Sequence, residues 1–537
     1  MLQQLQPFSQ NCSRRDRLRL VDGGEGALKP SVMMETNKMN QLSGCNASLR
    51  IVACCVVSFC LWNANSRGAN AQEPNVSAPT ESLAIPAAEP TATPPAALPT
   101  EQPDSFLAGP EVAGHTAWML VSCALVLFMT APGLALFYGG LVRKKNVLSV
   151  VMQCIFLMGL MTVIWALYGY SLAFGGTNPF IGDFQYVFMR GVARTWNEQL
   201  GQPMTPMHDL IPTLPRLLHM LFQGMFFIIT PALICGAFAE RMKFSAMVAF
   251  SVLWGTFVYC PLAHWVWGGG ILAYGGANSV LGGSLDFAGG TVVHVSSGVS
   301  ALVAAIVIGP RLGHRHEPMP PHNLTYTALG AAMLWVGWFG FNAGSALASD
   351  GVAVSAFVVT HFAAAAGAVT WAAIEWVKTR KPSVLGACSG AVAGLVCITP
   401  AAGHVGPMAA LIMGAVAGWV CLLSCSTLKA RCGYDDSLDA FGIHGMGGTL
   451  GAILTGVFAT RAVWNLNQGK PIGLIEGNYM TLVGQVAALA ITWVFAAVAS
   501  YVLLKLIDIT IGLRVPSHLE RQGLDITQHG EEGYIFL

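Results

Sequence analysis

Charge is what this chain has least of. Only 10% of its 537 residues are Asp, Glu, Lys or Arg, while 54% are hydrophobic; a soluble domain carries about 25% charged residues. No such composition keeps a folded surface in water, so a soluble multi-domain enzyme is excluded. Intrinsic disorder is excluded with it, because disorder needs the opposite balance. A net charge of +1 offers no basic footprint for DNA or RNA, and no nucleic-acid partner is expected. The 14 cysteines contain no CxxC pair. Cys154, Cys235, Cys388 and Cys397 lie within apolar stretches and read as small buried hydrophobes, not as a disulfide or zinc framework. Hydrolytic and phosphoryl-transfer motifs are missing too: there is no GxSxG, no HExxH and no GxxxxGKS/T. Neither an intramembrane protease nor a primary pump is indicated, and no enzyme activity, cofactor or metal is expected.

What the chain does have is long apolar runs and glycine. From Gly114 onward, eleven apolar stretches alternate with mostly short polar loops, at about 114–138, 147–174, 217–239, 244–267, 290–309, 324–347, 352–377, 384–399, 408–428, 441–459 and 479–507. Most reach the roughly 20 residues that cross a bilayer's hydrocarbon. The eighth is the weakest, being short and rich in Gly and Ala. Sixty glycines suit helices whose backbones approach closely. An all-α polytopic membrane protein is therefore expected, with its eleven-helix domain over 114–508 and a polar tail over 509–537.

Basic residues in the loops orient it. Loops after odd-numbered spans hold Arg143, Lys144, Lys145, Arg241, Lys243, Arg311, Arg315, Lys378, Arg380, Lys381, Lys429 and Arg431; loops after even-numbered spans hold only Arg190, Arg194, Arg216, Arg461 and Lys470. The bias places the odd loops and the C-terminus in the cytoplasm and the N-terminus outside. The start of the chain agrees. Residues 1–71 read as a polar lead and a signal peptide, with Arg50 before an apolar run over 51–62 and an A-x-A-like site at Ala69-Asn70-Ala71. An uncleaved anchor is the competing reading, and the length of the lead raises Met34 or Met39 as alternative starts. Residues 72–113, rich in Pro, Ala and Thr in their first part, read as an exported linker.

Spans one to five and six to ten read as two halves of opposite orientation, an arrangement that puts a transport path at the interface of the halves. At each half's fifth span an acid precedes a histidine: Asp286 with His294, and Asp439 with His444. An ionisable residue inside a membrane is a functional candidate by default. Five histidines qualify, His219, His264, His294, His361 and His444, and periodicity does not choose among them; only the paired placement of His294 and His444 sets these two apart. Glu375 and Lys505 lie near span ends, where a long side chain reaches the interface. Aromatic residues offer another chemistry. Trp267 ends the fourth span, Phe222 and Phe226 share one face of the third, and Trp338 and Phe341 sit in the sixth beside Ser345. Aromatic faces attract small cations by about 0.5–2 kcal/mol, and a hydroxyl supplies an acceptor. The same spacing also describes a core or lipid-facing stripe, so the pattern alone leaves the substrate open.

Longer words of the sequence are more specific. PGLALFYGG over 132–140, DFAGGTVVH over 286–294, GWFGFNAGS over 337–345, LGACSG over 385–390, FGIHG over 441–445 and GLRVP over 512–516 resemble the ammonium transporter (Amt/Rh) superfamily, in its bacterial Amt branch. The resemblance runs from about Gly114 to Tyr534 and leaves out the first 110 or so residues and the loop over 175–215. It implies a homotrimer of eleven-helix protomers, an inverted 5+5 repeat plus a final helix, each protomer with its own pore for ammonium or ammonia. By the family's pattern Trp267, Phe222 and Ser345 form the outer recruitment site and Asp286 holds it. Phe226 and Phe341 close the pore, His294 and His444 pair within it, and Tyr259 and Thr399 stand at its mouth. The tail, with Gly523-Leu524-Asp525 and His529-Gly530-Glu531, resembles the family's regulatory segment, and a PII-type nitrogen-regulatory protein is the implied partner at the cytoplasmic face of a bacterial inner membrane. An ammonium sensor signalling through a partner, and a gas channel, are the rival functions.

Overall fold

The computed structural model describes residues 101–534; the expected signal peptide and most of the expected linker lie outside them. Among the described residues ten helices are long and apolar enough to cross a membrane: α1 (Pro110–Leu141), α2 (Lys144–Phe174), α3 (Arg216–Phe238), α4 (Phe244–Val266), α5 (Gly290–Ile308), α6 (Leu324–Gly344), α7 (Gly351–Thr379), α9 (Pro407–Cys432), α10 (Phe441–Phe458) and α11 (Tyr479–Thr510). Between α7 and α9 lies the shorter apolar helix α8 (Val384–Ile398). This makes the eleven expected, and the weak eighth stretch is weak because α8 stops short and gives way to a buried turn at Thr399–His404.

Local chemistry sets the starts. Side chains of Asn323, Asp350, Ser383 and Asn478 accept backbone N–H groups at the N-termini of α6, α7, α8 and α11, and Pro occupies the first turn of α1 and α9, where its missing N–H costs nothing. α3 is apolar on every side and almost wholly buried, while α11 is the most exposed. That is the signature of a central helix and a peripheral one.

Glycine allows the closest crossings. A Cβ on Gly298 of α5 would overlap the backbone of Gly445 in α10, and one on Gly367 of α7 would overlap Gly390 in α8. The first contact joins the two halves. α5 and α10 also share a wide π-helical first turn, Gly290–Val295 and Phe441–Gly445, a distortion frequent at functional sites.

The two ends of the helix bundle differ. One carries a small sheet that an all-helical expectation does not include. Strand β1 (Glu101–Pro103) and strand β2 (Thr195–Asn197) both pair antiparallel with β3 (Gln202–Pro206). The last residues of the expected linker are thus ordered, and α1 begins at Pro110, ahead of the expected boundary. Pro103, Pro203 and Pro206 interrupt the strands, which hides them from a period-2 search.

The other end gathers the loops after the odd-numbered helices and the tail. Glu240 pairs with Arg143 at 2.8 Å and with Arg311 at 3.2 Å, and Arg311 also pairs with Asp435 at 2.8 Å. Burial alone would push the Glu240 carboxyl up, but Arg311 and Arg143 outweigh it and hold it below its usual value. The tail closes over this cluster. Helix α12 (Ser517–Gln522) places Glu520 against Arg514 and the Leu312 N–H, Asp525 accepts the Ser149 N–H at 2.8 Å, and the Tyr534 hydroxyl meets His322. Two crossings separate β1 from the β2–β3 hairpin, as their shared end requires.

Candidate functional site

A line of rings runs inward from the sheet end. Trp267, the residue capping α4, donates its indole N–H to the Asp286 carbonyl at 2.8 Å. Its ring meets Phe226 edge-on at 5.9 Å. Phe226 lies 5.0 Å from Phe222, one turn away on α3, and 4.5 Å from Phe341 on α6. Phe341 then stacks with His294 at 5.9 Å, and His294 with His444 at 5.3 Å. Five helices contribute, yet every ring except Trp267 is buried.

The two imidazoles face each other through their Nδ1 atoms at 3.2 Å. One neutral ring must donate and the other accept, so their Nε2 atoms carry one lone pair and one proton between them. The Nε2 of His294 is buried without a partner among the described residues. The pair borders a narrow cavity lined also by Trp338 and Phe341 and walled by Leu134, Ile229, Leu233, Leu334 and Val392. Such a passage, apolar apart from two imidazoles, disfavours an ion. It offers a small neutral molecule with both donor and acceptor character a partner at each Nε2.

The remaining expected residues fall around this line. The Ser345 hydroxyl, at the end of α6, donates to the Phe341 carbonyl at 2.9 Å, while the Phe222 ring packs on the backbone of neighbouring Gly344. Thr399 stands one layer behind: it accepts from the Trp338 indole at 2.9 Å, and Trp338 stacks on His294 at 5.4 Å. Tyr259 also lies behind the line and not at an opening, with its ring against Phe227 at 5.2 Å and its buried hydroxyl unpartnered among the described residues. Three of the five candidate histidines are elsewhere. His219 bonds Tyr170 at 3.0 Å, His264 bonds the Ala173 carbonyl at 3.0 Å, and His361 lies on the exposed flank of α7.

Asp286 holds the start of α5. Its carboxylate accepts the N–H groups of Gly289, Gly290, Thr291 and Val292 at 2.6–3.1 Å. Gly289 has φ of +102°, a left-handed conformation that suits glycine. No Lys or Arg pairs with Asp286 among the described residues. Burial pushes this carboxyl up, and the N–H donors pull it partly back.

The counterpart of Asp286 in the second half is Asp436, a correction to the expected pairing of Asp439 with His444. Asp436 stands eight residues before His444, as Asp286 stands eight before His294. It accepts the Phe441 N–H at 2.8 Å, whereas Asp439 turns to Lys429 at 2.6 Å. Pairing each histidine with its nearest preceding acid misled; equal spacing from the two histidines identifies the counterpart. Sequence reasoning also missed Gly298 and Gly445, whose contact brings the histidines together across 150 residues. It missed Gln223 as well, whose Oε1 is buried without a partner beside Phe222.

Known proteins share this arrangement of chain. The Ammonium Transporter Family profile matches residues 117–534. An ammonium transporter of Bacillus subtilis is 48% identical over 421 residues, 78% of this chain and 98% of that protein. Ammonium transporter Amt1 of Archaeoglobus fulgidus is 43% identical over 422 residues, 78% of this chain and 99% of that protein. Among solved structures, Mep2 of Saccharomyces cerevisiae aligns with a TM-score of 0.67 at 36% identity, covering 76% of this chain and 88% of Mep2. A structure described as a sensor Amt protein aligns at 0.68 with 24% identity and shares the fold.

Proposed function

This chain belongs to the ammonium transporter family, and from that premise we propose that it captures ammonium at the sheet end, removes a proton there and conducts ammonia past His294 and His444. The observation that carries the proposal is the continuous line from Trp267 to His444, with a carboxylate that has no cation at one end and two neutral-capable imidazoles at the other. Ammonium resembles a lysine head group, whose pKa of about 10 keeps it charged at neutral pH. Trp267, Phe222 and Ser345 supply aromatic faces and a hydroxyl for that charge, and Asp286 adds a negative field beneath them. Phe226 and Phe341 block a hydrated ion. Loss of a proton, either to the outer water or onward separately along His294 and His444, makes ammonia, which donates to one Nε2 and accepts from the other. Potassium has no proton to lose and is refused at the rings.

In this proposal the protein is a homotrimer of a bacterial inner membrane. Its sheet end lies outside, and its tail end lies in the cytoplasm, where a PII-type regulator binds. The bases of the odd loops, gathered with the tail, support that orientation. Capture of such a regulator during copurification after ammonium shock tests the partner, and repeated failure to capture one counts against it. Ammonium-evoked current in proteoliposomes tests the function. A saturable current means that charge crosses with the nitrogen; uptake without current means that the proton returns to the outer water. Ammonium binding with neither uptake nor current would overturn the proposal in favour of a sensor.

A further inference from the structure

One buried imidazole takes no part in the path above. His404 lies in the turn after α8, is 4% exposed, and leaves its Nδ1 without a partner among the described residues. Its ring faces are fully used. Trp464 stacks on it at 5.5 Å with planes 10° apart. Phe287 meets it edge-on at 5.6 Å and meets Trp464 edge-on at 6.0 Å. The three rings thus close a triangle, one corner of which is Phe287, the residue next to Asp286.

The backbone is fastened at the same place. The Phe287 N–H donates to the Pro400 carbonyl at 3.1 Å, and the Phe287 ring lies so close over Gly403 that a Cβ there would overlap it. Gly290 abuts Pro400 in the same way. Neighbouring Thr399 holds Trp338, so one turn touches both the His294 stack and the Asp286 loop.

That loop is held from outside on its near side, where the Ser284 N–H donates to the Leu272 carbonyl and the Gln485 amide to the Leu285 carbonyl, both at 2.9 Å. The segment over 283–289 has no helix of its own, yet Asp286 presents its carboxylate to four N–H groups and its carbonyl to the Trp267 indole. Any shift of residue 286 moves both. Edge-on and offset-stacked rings favour particular orientations, so the His404 bracket fixes position as well as filling space.

We propose that His404, clamped between Phe287 and Trp464, is a positioning residue that sets the Asp286 loop and through it the Trp267 capture site. The transport half of this inference rests on the proposed function; the structural half does not. Full-length wild type and the variants H404A, W464A and H404F are compared by hydrogen–deuterium exchange and in proteoliposomes. Amides of Gly289–Val292 are expected to exchange severalfold faster in H404A and W464A and near the wild-type rate in H404F, which keeps a ring. The ammonium concentration giving half-maximal current should rise severalfold in the first two with the maximal current retained, and return in H404F. Unchanged exchange in H404A overturns the inference, as does unmoved half-saturation in a variant whose exchange has risen. A wild type without saturable current, whose variants still show the expected exchange, overturns the transport reading and leaves the bracket standing. Trp464 is 36% exposed, so W464A carries the test if H404A does not fold.

Discussion

Asp286 and Asp436 hold matching places before His294 and His444, and their company separates the two ends of the molecule. Asp286 is held by four backbone N–H groups and meets no cation among the described residues. Around Asp436 bases gather: Lys429 reaches the Asp436 carbonyl at 2.5 Å and the Asp439 carboxylate at 2.6 Å, and Arg311 pairs with neighbouring Asp435, while Oδ1 of Asp436 itself has no partner among the described residues. Burial still pushes the Asp436 carboxyl up to about 6, with Lys429 opposing it and Asp439 reinforcing it. At the tail end bases stand beside the carboxylates, whereas at the sheet end the Asp286 carboxylate has N–H donors and no base among the described residues. A buried carboxylate held by N–H donors alone keeps a negative field that no neighbouring cation offsets, and the proposed capture of a cation at the sheet end relies on that contrast.

The largest test of this contrast is at the matched end. Lys429→Met leaves Asp439 largely buried and unpaired, which typically costs about 3–5 kcal/mol; a clearly lowered melting temperature is expected, with part of it restored in the double variant K429M/D439N. An unchanged melting temperature would remove the distinction between the two ends. At the unmatched end, Asp286→Asn removes the charge and keeps one oxygen acceptor for two of the four N–H groups, turning an NH2 toward the other two. A loss of about 2–3 kcal/mol, on the order of a hundredfold in methylammonium uptake efficiency, is expected, together with a lowered melting temperature from the two N–H groups left without an acceptor. His294→Ala removes one member of the Nδ1 pair and is expected to lower the ammonium-evoked current by roughly tenfold, about 1.4 kcal/mol. Unchanged uptake and current together would sink the role given to the pair. Trp267→Leu keeps apolar bulk without the aromatic face, and half-saturation should rise by about five- to thirtyfold, matching a cation–π contribution of about 1–2 kcal/mol. A variant with wild-type half-saturation would take the indole out of the capture site.

Much of this protein was legible before folding because the bilayer imposes one dominant rule. Helix count, the weakness of the eighth stretch and the grouping of basic loops follow from hydropathy and the placement of charge, which are local along the chain. The sheet was not legible, since proline breaks its strands and their pairing joins residues about a hundred positions apart. The candidate site divides the same way. Residue types, and the motifs that contain His294, His444 and Phe341, can be read in order along the chain.

The choice of His294 and His444 over His219, His264 and His361 for the line was decided by packing. So was the identity of Asp436 as the partner of Asp286, and so was the place of Thr399 and Tyr259 behind the line. Sequence by itself determined a membrane protein whose eleven apolar stretches, with little charge inside, became the ten span-length helices and the shorter α8 of the described residues. Only the tertiary structure decided which buried rings meet, because contact between α5 and α10 depends on two glycines 147 residues apart and not on any pattern either helix carries alone.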